Sequence, residues 1–125
     1  MDIPVFQPKG EWKILIAIDG SEHSRAALEL LKSLPLPTGT EITILGVFLP
    51  RNASEYYIFE PILRQAEEQL QARGVQAHSE LLAGNPSEII HQLAEERHPH
   101  LIMLGAKGRR ATAGIQLGGV AQQVV

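Results

Sequence analysis

The sequence contains no cysteine and no apolar run long enough to cross a bilayer. A chain without cysteine cannot form disulfides, thiolate metal sites or a thiol nucleophile, and this composition fits a cytoplasmic protein. The longest apolar runs, such as Ile14 to Ile18, fall far short of the roughly 20 residues that a membrane-spanning helix needs. The N-terminus also lacks the pattern of a secretion signal. We therefore expect a cytoplasmic protein with no membrane partner.

The sequence also has no excess of basic over acidic residues. The formal net charge is -3, whereas proteins that bind nucleic acid through its phosphates usually carry a strongly basic surface. Nucleic acid is therefore not an expected partner, and any anion must be held locally by a few groups. With 125 residues, of which 44% are hydrophobic, the chain is long enough for one domain with one core.

Strand-like runs alternate with helical patterns along the chain. Short apolar, β-branched or alternating segments predict four strands, at residues 13–18, 41–48, 75–81 and 101–104. Helical spacing of apolar residues follows each strand, with predicted N-caps at Ser21 and Asn85 and stops at Pro35, Gly74 and Pro99. The order βαβαβαβ plus a helix that starts near Val120 predicts an α/β fold, with an open parallel sheet and helices on both faces.

In such sheets, ligands bind outside the carboxyl ends of the strands, where the strand order reverses. This rule points to Asp19 after the first strand, to the end of the second strand near Val47, and to the loop after Leu104.

The segment after the fourth strand is rich in glycine and in cations. Gly105-Ala-Lys-Gly108 is followed, after nine residues, by Gly118-Gly119, which opens the last helical stripe. Glycine lets backbone N–H groups approach an anion, and a helix N-terminus adds unpaired donors. Lys107, Arg109 and Arg110 bring positive charge to the same segment. These features favour a phosphate site, although a surface loop with solvated cations fits the spacing too, and the segment is not a Walker loop.

Four segments of the sequence resemble the universal stress protein superfamily. They are Lys13-Ile-Leu-Ile-Ala-Ile-Asp-Gly-Ser21, Gly84-Asn-Pro-Ser-Glu-Ile-Ile90, His100-Leu-Ile-Met-Leu-Gly-Ala-Lys-Gly108 and Gly118-Gly119. The ATP-binding branch of that family carries Gly-x-x-Gly, nine residues, and then Gly followed by Ser or Thr. This chain matches at Gly105, Gly108 and Gly118. The resemblance implies ATP as the ligand, or ADP or AMP, with magnesium accompanying the nucleotide.

The resemblance also implies a role for individual residues. The Asp19 carboxylate would lie at the nucleoside end of the ligand, and the backbone around Ala17, Ile18 and Val47 would frame the adenine. The remaining predicted contacts line the ribose and the phosphates, and they are Leu104, Gly105, Gly108, Gly118, Gly119 and Val120.

One position departs from the family pattern. Gly119 stands where ATP-binding members have a hydroxyl residue, so one side-chain contact to a phosphate oxygen or its metal is missing. A hydrogen bond to a charged group is worth on the order of 1.5 to 3 kcal/mol. We therefore expect weaker binding of ATP, and not its loss.

Several of these residues have a simpler interpretation. An aspartate between a strand and a helix, as Asp19 is, often serves only as a cap. His91, His98 and His100 follow no recognised ligand spacing, so we expect no metal site. The aromatic residues near the start of the second helix are expected to pack against the core or cap it, with a partner surface as the alternative, and they are Tyr56, Tyr57 and Phe59.

The preferred function is a nucleotide-binding regulatory module of the stress response. No obvious group for proton transfer accompanies the glycine segment, so binding is favoured over turnover. The alternatives are a slow enzyme that hydrolyses ATP or transfers part of it, and a nucleotide-free module for protein interactions.

The expected domain boundaries follow from the same family resemblance. Residues 1–12 form a leader and residues 13–125 the domain, which we expect to be C-terminally incomplete. The family sheet has the order 3-2-1-4-5, and its fifth strand is expected to be missing from this chain. The fourth strand would then have an unpaired edge. Trimming of a longer chain, a partner subunit in a homodimer, or the folded-back leader could account for that edge.

Overall fold

The computed structural model describes residues 12–52, 54–105 and 114–117, and the last four of these as backbone. The strands are β1 (Lys13–Ile18), β2 (Glu41–Phe48), β3 (Gln76–Ala83), β4 (Leu101–Gly105) and β5 (Gly114–Leu117). The helices are α1 (Glu22–Ser33), α2 (Glu55–Gln71) and α3 (Pro86–Arg97), and a short 3₁₀ turn covers Pro50–Asn52. In the described part of the chain, no helix is long and apolar enough to span a membrane.

The strands form one sheet in the order β3-β2-β1-β4-β5. β1, β2, β3 and β4 are parallel, as the alternation of strands and helices predicts. The third strand lies at an edge of the sheet, which explains its alternation of apolar and polar residues. The α/β class and the order 3-2-1-4 are therefore confirmed.

The fourth strand does not have an open edge. β5 runs antiparallel beside it, with Leu104 opposite Gly114 and Leu101 opposite Leu117. The prediction of an unpaired edge is therefore wrong. The strand is built from the nine-residue spacer of the glycine segment, where Ile115 and Leu117 alternate with Gly114 and Gln116. An alternation of only four residues is too short to stand out inside a glycine-rich segment.

The core lies on both faces of β1. Ile14, Ile16 and Ile18 face α1 and α2, whereas Leu15 and Ala17 face α3, because successive side chains of a strand point to opposite sides. Ile16 is completely buried. Burial of one such isoleucine stabilises the fold by roughly 1.5 to 3 kcal/mol. The central strand is therefore held rigidly, and its carboxyl end has a well-defined position.

The helix ends are set by the residues that the sequence indicates. Ser21 and Asn85 are the N-caps of α1 and α3, and their side chains accept hydrogen bonds from the backbone N–H groups of Ser24 and Glu88. Such a cap contributes about 1 kcal/mol. Gly74 follows α2 with a φ of +87°, a conformation that a side chain would strain.

Candidate functional site

The carboxyl ends of β1, β2 and β4 meet at one edge of the sheet, called here the carboxyl edge. Ile18 lies opposite Gly105, and Ala17 lies opposite both Leu45 and Leu104. From β1 the chain passes through α1 to β2 on one side, whereas β4 joins β1 on the other side. The strand order thus reverses between β1 and β4, which is where ligands of open α/β sheets bind.

A tight turn follows β1 at this edge. The backbone N–H of Ser21 donates to the carboxylate Oδ1 of Asp19 at 3.0 Å. Between them, Gly20 has a φ of +84°, and a side chain there would also begin 3.0 Å from the Cδ1 of Ile62. The positive φ therefore favours glycine at position 20, and a larger residue would also have to displace the flexible end of the Ile62 side chain.

Ser24, in the first turn of α1, holds the same aspartate. Its hydroxyl donates to Asp19 Oδ1 at 2.8 Å and accepts from the Asp19 backbone N–H at 2.6 Å. Ser24 is only 4% exposed, and it shares the buried stripe of α1 with Ala27 and Leu31. A buried hydroxyl needs partners, and Ser24 finds them on Asp19.

Asp19 therefore has a structural role in the turn, although the N-cap of α1 is Ser21 and not Asp19. Both of these contacts to its carboxylate are donors, so they suit the ionised form. A carboxylate held in this way at the carboxyl edge is also suited to accept hydrogen bonds from a ligand. The two roles are compatible, because a carboxylate can accept several hydrogen bonds at once.

The structure brings several other predicted residues together. The side chains of Ala17, Val47 and Leu104 belong to the apolar cluster under α3, so three neighbouring strands present them on the same face. Ile18 lies on the opposite face, in the cluster under α1 and α2. Gly105 ends β4 beside Ile18. Of the predicted site residues, Gly108, Gly118, Gly119 and Val120 lie outside the described residues.

The direction of β5 bears on the glycine motif. β5 begins opposite Leu104 at the carboxyl edge and ends at Leu117, opposite Leu101 at the other edge of the sheet. Three residue steps along a strand cover ~10 Å. Leu117, the last residue of the nine-residue spacer, therefore lies about three such steps from the carboxyl edge.

The three histidines considered as metal ligands each have a local structural context of their own. His100 Nδ1 accepts from the backbone N–H of Lys13 at 3.0 Å, and its ring lies 4.8 Å from that of Trp12. His98 ends α3 in the left-handed conformation, and His91 pairs with Glu95 one helical turn away. Among the described residues, no group of three histidine, aspartate or glutamate side chains is arranged to hold a metal.

The aromatic residues near the start of α2 are only partly packed. The Tyr56 ring meets the Phe48 ring edge to face at 5.9 Å, yet Tyr56 is 42% exposed. Tyr57 is 78% exposed, so the expectation that it packs against the core is wrong. Helical spacing explains the difference, because Leu63, Ala66 and Leu70 face the sheet and Tyr57 does not share their stripe.

Sequence reasoning missed Ser24 and the ion pair between Arg97 and Glu80. The guanidinium of Arg97 donates to both carboxylate oxygens of Glu80, at 2.7 and 3.1 Å. This contact, and a weaker one from His78, hold the pKa of Glu80 below its ordinary value. Of these residues, only Ser24 could have been found from the sequence, because it is a polar residue in an otherwise apolar helical stripe. The ion pair joins two elements 17 residues apart and leaves no local pattern.

Comparison with known proteins identifies the family. The model of the universal stress protein family matches residues 12–125, and the chain therefore belongs to that family. A universal stress protein of Thermus aquaticus is 28% identical over 90% of this chain and 89% of its own length.

Solved structures share the fold. The protein MJ0577, described as a test case for structure-based assignment of function, superimposes with a TM-score of 0.64 at 25% identity, over 93% of this chain and 89% of its own. A universal stress protein in complex with cAMP gives 0.59 at 23% identity, over 75% and 72% of the two chains. A family member from Arabidopsis thaliana with AMP bound gives 0.59 at 17% identity, over 78% of each chain.

Proposed function

We propose that this universal stress protein domain binds an adenine nucleotide, with ATP as the preferred ligand, and acts as a regulatory module of the stress response. The observation that carries the proposal is the position of Asp19. It lies between the carboxyl ends of β2 and β4, at the reversal of strand order, where open α/β sheets bind ligands.

The arrangement of the surrounding residues supports an adenine ligand. Val47 and Leu104 are only partly buried beside the buried Ala17 on one face of the sheet, and this apolar edge suits a flat base. Gly105 leaves β4 at the same edge and begins the Gly-x-x-Gly segment, whose backbone N–H groups suit phosphates. The cAMP and AMP complexes of two proteins with this fold agree with an adenine nucleotide.

The second half of the glycine motif sets a condition on the proposal. We infer that Gly118, Gly119 and Val120 contact the outer phosphates, which requires them to reach the carboxyl edge. β5 directs the chain to the opposite edge. For Gly118, Gly119 and Val120 to contact the outer phosphates, β5 must therefore separate from β4 when ATP binds. Hydrogen exchange tests this step, because the amides of residues 114–117 should lose protection on addition of ATP and keep it on addition of AMP.

Calorimetric titration of the 125-residue chain with ATP, ADP and AMP tests the main proposal. We expect saturable binding of all three, with ATP tightest when magnesium is present. Asp19→Asn keeps an oxygen for the turn and removes the charge, so it should weaken all three by a similar factor, on the order of tenfold. The matched control is Glu22→Ala, which removes an exposed carboxylate three residues away and should have little effect.

The outcome of the titration also separates the alternatives. Absence of binding at millimolar nucleotide would overturn the proposal and favour a nucleotide-free interaction module. Sustained release of phosphate that depends on a metal ion would show an enzyme instead of a binding module.

Two further properties are proposed from the family alone. We infer that the protein works in the cytoplasm and forms a homodimer. Because β5 covers the edge of β4, the dimer is not needed to pair that strand. Sedimentation of the 125-residue chain should nevertheless show a dimer, and a strictly monomeric, folded chain would contradict this inference.

A further inference from the structure

Ser24 makes an unusual pair of contacts with Asp19. One hydroxyl donates to the carboxylate Oδ1 of Asp19 at 2.8 Å and accepts from the backbone N–H of the same residue at 2.6 Å. The Ser24 hydroxyl thus contacts both the side chain and the main chain of Asp19. Since Ser24 is 4% exposed, water cannot readily replace that atom.

Ser24 is itself fixed from two sides. Its backbone N–H donates to the Ser21 hydroxyl at 3.3 Å, and its Cα belongs to the buried face of α1. Ser21 in turn donates its own N–H to Asp19 Oδ1 at 3.0 Å. These hydrogen bonds link Asp19, Ser21 and Ser24 to one another, and the turn is anchored in the core through Ala27 and Leu31 of the same helix face.

We infer that Ser24 is the positioning residue for the nucleotide-binding carboxylate of Asp19, an inference that rests on the proposed function. With its main chain and Oδ1 both held, the carboxylate has little rotational freedom and keeps one orientation at the carboxyl edge. A ligand that binds it does not have to order the side chain first, and preorganisation of this kind strengthens binding. Ser24 acts through Asp19 and does not contact the nucleotide.

A double-mutant cycle on nucleotide affinity tests this assignment. Ser24→Ala should weaken ATP and AMP by the same factor, roughly tenfold, because the affected carboxylate lies at the nucleoside end that both share. Asp19→Ala should weaken both by at least that factor. In the Asp19→Ala background, Ser24→Ala should change affinity less than about twofold, since no carboxylate remains to be positioned.

The matched control is Ser33→Ala, on the last turn of α1. The Ser33 hydroxyl is exposed and donates to the Leu30 carbonyl, so its removal should leave affinity unchanged. Thermal unfolding of each variant checks that it is folded. A cycle is needed because loss of a buried hydroxyl lowers stability whether or not Ser24 positions Asp19.

Each outcome is decisive for one of the two proposals. If the natural chain binds ATP and Ser24→Ala binds it equally well, Ser24 does not position the carboxylate. If Ser24→Ala weakens binding by the same factor with and without Asp19, its effect is a general one on the fold, and the inference is again overturned. If the natural chain itself binds no nucleotide, the proposed function fails first.

Discussion

The two edges of the sheet use polar side chains in different ways. At the carboxyl edge, the hydrogen bonds of Asp19 with Ser21 and Ser24 span no more than five residues of sequence. At the opposite, amino edge, the His100 side chain accepts from the Lys13 backbone N–H across 87 residues of sequence. Backbone bonds between distant segments occur at both edges, from Gln76 to Thr40 at the amino edge and from Gly84 to Phe48 at the carboxyl edge. The side-chain bonds of the first edge thus order a single turn, whereas the His100 side chain joins separate strands.

This difference indicates which variants should change nucleotide binding and which should change the stability of the fold. Contacts between distant segments oppose the conformational entropy of the unfolded chain, so their loss is felt by the whole fold. Contacts within one turn mainly decide the shape of that turn, unless the side chain that makes them is buried, as Thr40 is. We therefore expect variants of the carboxyl edge to change nucleotide affinity, with an added loss of stability where a buried hydroxyl is removed, and variants of the amino edge to change the free energy of unfolding alone.

The largest effect is expected from Gly108→Val. A β-branched side chain cannot follow the backbone of a glycine loop or tolerate a nearby phosphate, so ATP affinity should fall by on the order of a hundredfold or more, the equivalent of two lost hydrogen bonds to a charged group. The melting temperature should change little. Calorimetry and thermal unfolding check the two halves of this prediction.

Gly74→Val is the matched control at the amino edge. Gly74 has a φ of +87°, so valine there should lower the free energy of unfolding while ATP binding is kept. Unchanged affinity in Gly108→Val, or lost affinity in Gly74→Val, would remove the distinction between the two edges.

Thr40→Val should give the next largest effect, on stability alone. Thr40 is completely buried, and its hydroxyl donates to the Pro37 carbonyl at 2.6 Å. Valine keeps the shape and loses this bond, which should lower the free energy of unfolding by about 2 kcal/mol. Chemical denaturation measures the change. Thr43→Val, at a less buried position of β2, should cost under about 0.5 kcal/mol, and equal costs for the two would contradict the role given to Thr40.

Gly119→Ser should strengthen ATP binding at the carboxyl edge. The added hydroxyl restores the residue type of the family's ATP binders, and it should raise ATP affinity roughly tenfold in the presence of magnesium. AMP affinity should stay the same, because AMP lacks the outer phosphates. An ATP affinity that stays flat at every magnesium concentration would mean that position 119 does not reach the ligand, as expected if β5 stays paired with β4.

The smallest effect is expected from Arg97→Met. Arg97 lowers the pKa of Glu80, so the pair stabilises the fold above the ordinary pKa of glutamate, about 4.3, and this contribution is lost as the pH falls through the lowered pKa. Because both side chains are partly exposed, the loss at pH 7 should stay below about 1 kcal/mol. Denaturation at pH 7 and pH 3 measures it. A difference of equal size at both pH values would assign the effect to packing, and Arg73→Met, at an exposed position, controls for loss of a surface charge.

The sequence was sufficient for the elements that carry a local signal. Apolar runs marked β1 and β2, and the caps Ser21 and Asn85 marked the starts of two helices. These signals work because strand and helix periods, and the need to satisfy the first N–H groups of a helix, act within a few residues. The carboxyl edge could be located too, since parallel strands bring their ends together, and Asp19 could be named from it.

Only the tertiary structure decided the contacts that depend on packing between elements. β5 forms because Gly114–Leu117 finds a free edge on β4, which no window of four residues can reveal. His100 meets Lys13 because β4 lies beside β1. The hydroxyl of Ser24 reaches Asp19 because burial of Ala27 and Leu31 fixes the rotation of α1 about its axis, and that rotation is chosen by the core as a whole.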